Sequence, residues 1–442
     1  MQTPSQTPTQ IDHSLQNILQ QQHHYQAHAL SVDQAQQIIQ AFIQPVQESE
    51  YVNLLSAFER ILAQDIASPI DVPAHDNSAM DGFAFNGESL HTNGDLSLTV
   101  VGQALAGHPF LGQVQRGECI RIMTGAVMPN NCDTVVPQEL TERMPTENSN
   151  SDQIRFSTHR LRAGDNRRLR GEDLSLGKIA LSKGKRITPA DLGLLASLGL
   201  AQIEVKRKVK IAYFSTGDEL RSLGESLDAG SVYDSNRYTI YGMLQSLGCE
   251  MIDMGVVTDD PEQLEQALRR ACEQADAIIT SGGVSVGTAD YTKQIMAKLG
   301  EVEFWTLGMR PGRPMAFGKI RSQNHSAYLF GLPGNPVAVM VTFYFFVRQA
   351  LKTLMGAHTV SLISIPAISK KTIQKRKGRT EYQRGIVTKN AEGKLEVCVT
   401  GSQGSGILRS MSEANCMIVL PDERSDINAG DMVEIILFEG LI

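Results

Sequence analysis

The chain has 442 residues, 41 basic against 48 acidic side chains for a net charge of −7, and 41% hydrophobic residues, which predicts roughly three domains with several buried cores. The acidic balance argues against the broad basic face of a nucleic-acid binder, although local basic clusters can still take an anion. The six cysteines show neither a CxxC pair nor zinc spacing, the longest apolar run (Ala338–Val347) is too short to span a bilayer, and no Lys or Arg precedes Arg60, so free thiols, no membrane partner, no secretory or mitochondrial leader and a cytoplasmic setting are expected.

Residues 1–30 are rich in Gln and include His13, His23, His24 and His28. So polar a segment offers little apolar surface to offset its ordering entropy, and a disordered tail is expected. Order is expected to begin at Ser31, which has capping-box spacing to Gln34. Val32, Ala35, Ile38, Ile39 and Phe42 then recur on one helical face. From about Ile66 to Gly171 the chain reads as short β-like runs, such as Leu96–Val101, Cys119–Met123 and Asp133–Pro137, with a polar loop at Pro145–Gln153. Helix returns after Thr188, an N-cap with Pro189 next to it. The pattern predicts a discontinuous N-terminal domain (31–66 and 172–206) that carries a β-rich insertion (67–171).

The 207–355 block alternates strand and helix. Apolar strands at Val209–Ser215, Glu250–Val257, Ala277–Thr280, Glu303–Leu307 and Tyr328–Phe330 are separated or succeeded by helices at Asn236–Leu247, Pro261–Gln274, Ala289–Leu299 and Pro336–Leu354. This order implies a mainly parallel sheet covered by helices, with ligands beyond the carboxyl ends of the strands. After Gly356 the helical period disappears, and a hairpin about Asn390–Gly393 with later strands predicts a small β-barrel or sandwich over 356–442. The fold class is therefore α/β multidomain, with a β-rich insertion and a C-terminal small β-barrel.

Three loops at predicted strand ends carry candidate chemistry. Thr280–Gly287 is rich in Gly and Ser and precedes a helix, which suits a phosphate but equally a plain tight turn. Gly331–Pro336 offers Asn335 as a cap with Pro336 at the first helical position, and its two prolines stiffen a ligand edge. Asp218, Glu219, Asp259, Asp260 and Asp290 fall near the same sheet rim. Beside a phosphate they would repel it unless a hard cation such as Mg²⁺ intervened. Arg310 and Arg313 are flanked by prolines and offer planar donors for an oxyanion. The turn formers around Asp81 and the charged run around Asp173 lie outside this block, and spacing alone connects neither to the sheet.

Seven motifs in order, DNSAMDG (76–82), RIMTG (121–125), RGED (170–173), FSTGDEL (214–220), SGGVSVG (281–287), DYTK (290–293) and GLPGNP (331–336), make the chain resemble the molybdopterin molybdenumtransferases over about residues 31–442. The resemblance implies insertion of molybdate into adenylylated molybdopterin with Mg²⁺-dependent release of AMP. It implies catalytic roles for Asp81, Thr124, Asp173, Glu219, Asp259 and Asp290, the metal falling to Asp259 and Asp290. Substrate contacts are implied for Ser281, Gly282, Gly283, Ser285, Lys293, Pro333, Gly334, Asn335 and Pro336, and molybdate contacts for Arg310, Arg313, Pro314, Arg384 and Ser405. Arg310 and Arg313 depart from the Lys common in the family. The resemblance also implies a homodimer whose cleft is shared between subunits, and an upstream molybdopterin adenylyltransferase as a potential partner. That adenylyltransferase activity and a non-catalytic scaffold are the alternative readings. The regions bearing Asp81 and Arg384 argue against the first, and the full set of carboxylate loops against the second.

Overall fold

In a computed structural model, residues 14–21, 25–27, 30–91, 94–144, 152–283, 290–358 and 361–440 are described, the side chains of His91, Asp290 and Gly440 excepted. The polar stretch 145–151, Ser285 and the rest of 284–289 lie outside them, as do residues 1–13. The chain divides into two compact units, one of residues 1–50, 59–63 and 204–442, the other of residues 51–58 and 64–203.

The larger unit is built on a six-stranded sheet. Strands Glu250–Val257, Lys210–Thr216, Ala277–Ser281 and His325–Leu332 run parallel, and Pro314–Ser322 and Gly300–Thr306 extend the sheet antiparallel. The inner parallel strands read as apolar runs because helices cover both faces: the Lys210–Thr216 strand alternates Ile211 and Tyr213 into one core with Ala212 and Phe214 into another. Helices Ser235–Leu247, Pro261–Gln274 and Asp290–Leu299 connect the strands. The strand Pro314–Ser322 is not among the predicted elements, since Gly318, Lys319 and Arg321 interrupt its apolar pattern. Gly318 is required there, because a Cβ would lie 2.0 Å from the Glu301 carbonyl oxygen on the neighbouring strand.

The apolar segment Pro336–Leu354 forms one helical course with a π turn at Phe343–Val347. It is long and apolar enough to cross a bilayer, yet 78% of its apolar 18-residue window is buried inside the protein, as befits a core helix. Beyond it, strands 380–389, 395–399, 365–369, 432–437 and 416–420 pair in that order, and the last returns to the first, closing a five-stranded barrel.

Order does not begin at Ser31. Leu15–Gln21 is a helix whose Leu15 and Leu19 enter the main core, and Leu30 is buried beside them. Two leucines at helical spacing, one turn apart, outweigh the surrounding glutamines once a surface is there to receive them. The expected helix Val32–Phe42 is present with its Ser31–Gln34 capping box, and its five apolar positions are buried.

The smaller unit carries a six-stranded sheet in the order 134–137, 82–85, 118–122, 95–104, 153–157, 142–144. Its helix Pro189–Ser197 starts at the Thr188 cap, with Asp191 completing the box.

Candidate functional site

In the larger unit the carboxyl ends of the parallel strands form a rim. At its centre Gly282 and Gly283 take left-handed backbone angles, φ +94° and +68°, and a Cβ on Gly282 would meet the Thr216 carbonyl oxygen at 2.4 Å. Only glycine fits there. The Gly282 N–H donates to the Leu332 carbonyl at 3.1 Å, and a Cβ on Gly334 would lie 3.8 Å from the Gly282 Cα. The two glycine loops thus abut with bare backbone at the strand ends. Asn236 tethers the second loop, donating from Nδ2 to the Gly334 carbonyl at 2.8 Å.

Beneath them lies a buried polar network. The Tyr213 hydroxyl bonds Ser215 Oγ at 2.8 Å and Ser281 Oγ at 2.7 Å, and Ser215 Oγ donates to Asp234 Oδ2 at 2.7 Å. Asp234 in turn caps the next helix by accepting from the Arg237 N–H. Ser281 is 2% exposed and engaged in this network, so its hydroxyl supports the loop from below. The sequence held a signal for it, polar residues at the ends of otherwise apolar strands, but spacing could not pair them. Buried Thr216 Oγ1 and Thr280 Oγ1 have no hydrogen-bond partner among the described residues.

On the same rim the Asp259 N–H donates to Asp218 Oδ1 at 3.3 Å. Partial burial, then the charges of Asp218 and Glu219, raise the Asp259 carboxyl above its ordinary range. Like charges held together in this way favour a cation. Asp260, by contrast, is a helix cap, accepting from the Gln263 N–H at 2.9 Å. Asp290 opens the helix Asp290–Leu299. Among the described residues no group of three or more metal-ligating side chains is gathered, but Mg²⁺ needs only one or two carboxylates plus substrate oxygens, and the Asp259 rim fits that requirement. Lys293 holds its ammonium 5.5 Å from the Phe304 ring centroid. Pro333 is buried while Gly334 and Asn335 are exposed. Asn335 occupies the cap position before Pro336 but its side chain makes no cap hydrogen bond, contrary to the expectation, so its amide is available to a ligand.

A second feature of this unit is a cavity of about 800 Å³ lined by the cations Arg310, Lys375, Arg376 and Arg384 and by the carboxylates Glu381 and Asp426. Arg384 is 0% exposed. It donates to Ser410 Oγ at 3.0 Å and to the carbonyls of Gly404 and Ser402 at 3.0 and 3.4 Å, none of them charged. Burial, then the charge of Arg310, pushes Arg384 down to about 10, which still leaves it a cation near neutral pH. With neutral acceptors alone as its hydrogen-bond partners, its charge is not neutralised by direct pairing. Arg313 lines a separate cavity with Asp33, Arg379 and Asp422. Pro314 opens the strand Pro314–Ser322 opposite Thr306. Ser405 accepts from the Val337 N–H through its carbonyl, at 3.0 Å. Of the five residues grouped for molybdate, Arg310 and Arg384 therefore meet in one cavity, and the other three are not among its lining residues.

The smaller unit gathers the three N-terminal motifs. Arg167 and Arg168 pair with Ser78 and Asn77, and the Arg170 N–H donates to Asp76 Oδ1 at 2.8 Å. The Gly125 N–H donates to the Ser78 carbonyl at 2.8 Å. Asp81 Oδ1 accepts from the Thr124 N–H at 2.7 Å and from its hydroxyl at 2.8 Å. These two bonds, backbone first, hold the Asp81 carboxyl below its ordinary range. Asp173 is exposed on the same loop system, its N–H on the Val72 carbonyl. The motifs at 76–82, 121–125 and 166–173, far apart in sequence, are joined by these pairings and hydrogen bonds.

Family models match along the chain. The "MoeA N-terminal region (domain I and II)" covers residues 30–199, a "probable molybdopterin binding domain" residues 212–353, and the "MoeA C-terminal region (domain IV)" residues 366–438. A protein of Haemophilus influenzae named molybdopterin molybdenumtransferase is 40% identical over 93% of this chain and 100% of its own length. One of the same name from a Nostoc species is 36% identical over 87% of each. The crystal structure of the molybdopterin biosynthesis moeA protein of Pyrococcus horikoshii covers 92% of this chain and 100% of its own at a TM-score of 0.79 and 27% identity.

Proposed function

The chain belongs to the molybdopterin molybdenumtransferase family, and on that footing we propose that it inserts molybdate into adenylylated molybdopterin, with Mg²⁺-dependent release of AMP. The observation that carries this reading is the division of charge in one unit: a carboxylate rim beside bare glycine loops, and, apart from it, a cavity with a buried unpaired cation. The two substrates need such a division. One brings a phosphoanhydride that requires a metal, the other is an oxyanion that needs cationic donors.

Gly282, Gly283 and Gly334 would admit the phosphate-bearing substrate against backbone, with Ser281 holding the loop and Asn335 offering its free amide. Ser285, Lys293, Pro333 and Pro336 complete the proposed substrate set. Asp259, with Asp290 and with Glu219 beside it, would hold Mg²⁺. Once bound there, the ion supplies neutralisation of phosphate charge as the anhydride breaks. Arg310 and Arg384 would orient molybdate by charge-assisted hydrogen bonds, with Arg313, Pro314 and Ser405 shaping the surroundings.

Asp81, Thr124 and Asp173 belong to the proposed active site through a homodimer whose cleft is shared between subunits; the hydrogen bonds between Asp81 and Thr124 support their acting together. The domain division 31–66 with 172–206, 67–171, 207–355 and 356–442 and a cytoplasmic setting complete the reading, the latter supported by six free cysteines, five of them buried. Hand-over from an upstream molybdopterin adenylyltransferase would deliver the adenylylated substrate. The test is reconstitution: product made by the purified chain should restore activity to a cofactor-free molybdoenzyme. Failure to do so at physiological molybdate, with a verified adenylylated substrate, would overturn the proposal.

A further inference from the structure

The sheet of the larger unit ends at Gly300–Thr306, which pairs within the sheet only with Pro314–Ser322. Such an edge leaves donors and acceptors open, and native folds cover or blunt it. N-terminal residues cover this one. The Leu15 N–H donates to Glu301 Oε2 at 2.8 Å. The Thr306 N–H donates to the Ala27 carbonyl at 2.7 Å and the Gly308 N–H to the Leu30 carbonyl at 2.8 Å. Trp305 Nε1 donates to the Tyr25 hydroxyl at 3.1 Å, and that hydroxyl donates to Glu303 Oε2 at 3.1 Å. Burial, then the charge of Glu303, pushes the Tyr25 hydroxyl up to about 12, so it keeps its proton near neutral pH.

The covered edge leads directly into the segment that bears Arg310. Leu30 and Leu307 bridge in parallel, and Trp305, Leu307 and Met309 are all buried. Met309 and Arg310 then pair with Thr380 and Glu381, on the barrel strand that carries Arg384. The Leu307 N–H also donates to the Arg313 carbonyl at 2.7 Å. The backbone leading into Arg310 is therefore fixed on one side by the barrel and on the other by the N-terminal residues.

We propose that Tyr25, Ala27 and Leu30 form a strap that positions the Arg310 segment against Arg384, with the Tyr25 hydroxyl as its latch. Oxyanion affinity then depends on a contact that never touches the oxyanion. The strap rests on the oxyanion role proposed above for Arg310 and Arg384, and it makes the N-terminal segment a working part of the site.

Trp305 is the chain's only tryptophan, so its emission reports the latch directly. The experiment compares full-length wild type, Tyr25→Phe and Tyr25→Ala, reading Trp305 emission and, by calorimetry, the affinities for molybdate and for adenylylated molybdopterin. Both variants should shift the emission and raise the molybdate Kd about two- to tenfold, the effect of losing one or two ordinary hydrogen bonds. Affinity for the adenylylated substrate should stay unchanged, a split that a purely structural tyrosine would not produce. An emission shift with unchanged molybdate affinity in both variants overturns the strap alone. A wild type that binds no molybdate overturns the reading of the Arg310–Arg384 cavity itself.

Discussion

Replacing Arg384 by Met separates what the residue does for binding from what it does for stability. Its guanidinium is fully buried, and burial with Arg310 alongside pushes it from its ordinary value to about 10. That fall corresponds to a penalty on the order of 3 kcal/mol for keeping the charge. Against it stand hydrogen bonds to Ser410, Ser402 and Gly404, worth about 1 kcal/mol each. The two nearly cancel, so Arg384→Met should stay within about 2 kcal/mol of wild type without ligand. A buried arginine paired with a carboxylate would instead lose about 3–5 kcal/mol on removal. Molybdate at a hundredfold excess over Kd stabilises by about 2.7 kcal/mol, which should raise the wild-type Tm by roughly 3–4 °C, and Arg384→Met should lose that rise. Thermal unfolding with and without molybdate reads both quantities. A ligand-free loss well above 3 kcal/mol, or a retained molybdate-dependent rise, would refute the reasoning.

Three further outcomes are expected. Because the Asp259 carboxyl titrates above its ordinary range, its metal-free charge weakens the fold as pH rises through that raised value, and Mg²⁺ affinity should climb over the same window; Asp218→Asn should move the midpoint to lower pH in a Mg²⁺ titration, and an unmoved midpoint would count against the coupling. Thr124→Val removes one of the two bonds that depress Asp81, so the Asp81 carboxyl resonance should titrate at higher pH, and the stability tied to its charge, present above the ordinary range and lost as pH falls through the depressed value, should fade earlier on acidification. Leu15→Ala, at a position 1% exposed in the main core, should destabilise by about 2–4 kcal/mol in a denaturant titration; a neutral effect would return this segment to the status of a tail.

The strands and helices of the α/β block were legible because short apolar runs and capped amphipathic stretches have few other uses: Ala277–Ser281 and Pro261–Gln274 fall within a residue of where the pattern puts them. The antiparallel strand Pro314–Ser322 was not, since its glycine answers to a neighbouring carbonyl rather than to local propensity. The N-terminal helix was hidden for the opposite reason. Its own composition is polar, and only the edge it covers gives Leu15 and Leu19 a place to go. In the site, the glycine loop and the carboxylates announced themselves by residue type. The meeting of Arg310 with Arg384 depends on a barrel strand, distant in sequence, that pairs beside Met309, and no spacing encodes that pairing. Tyr25 gave no sequence signal, because its partners Glu303 and Trp305 lie on a distant strand.

On the proposed reading, one chain uses an acidic rim for the anhydride and the Arg310–Arg384 cavity for molybdate. The direct measurement is AMP release from adenylylated molybdopterin by the purified wild type, Asp259→Asn and Arg384→Met, across a titration of Mg²⁺ and of molybdate. Release should require both ligands in wild type. Asp259→Asn should raise the Mg²⁺ requirement and retain the molybdate dependence, and Arg384→Met should raise the molybdate requirement and retain the Mg²⁺ dependence. Release that is indifferent to molybdate in wild type, or variants that shift both requirements together, would contradict the claim.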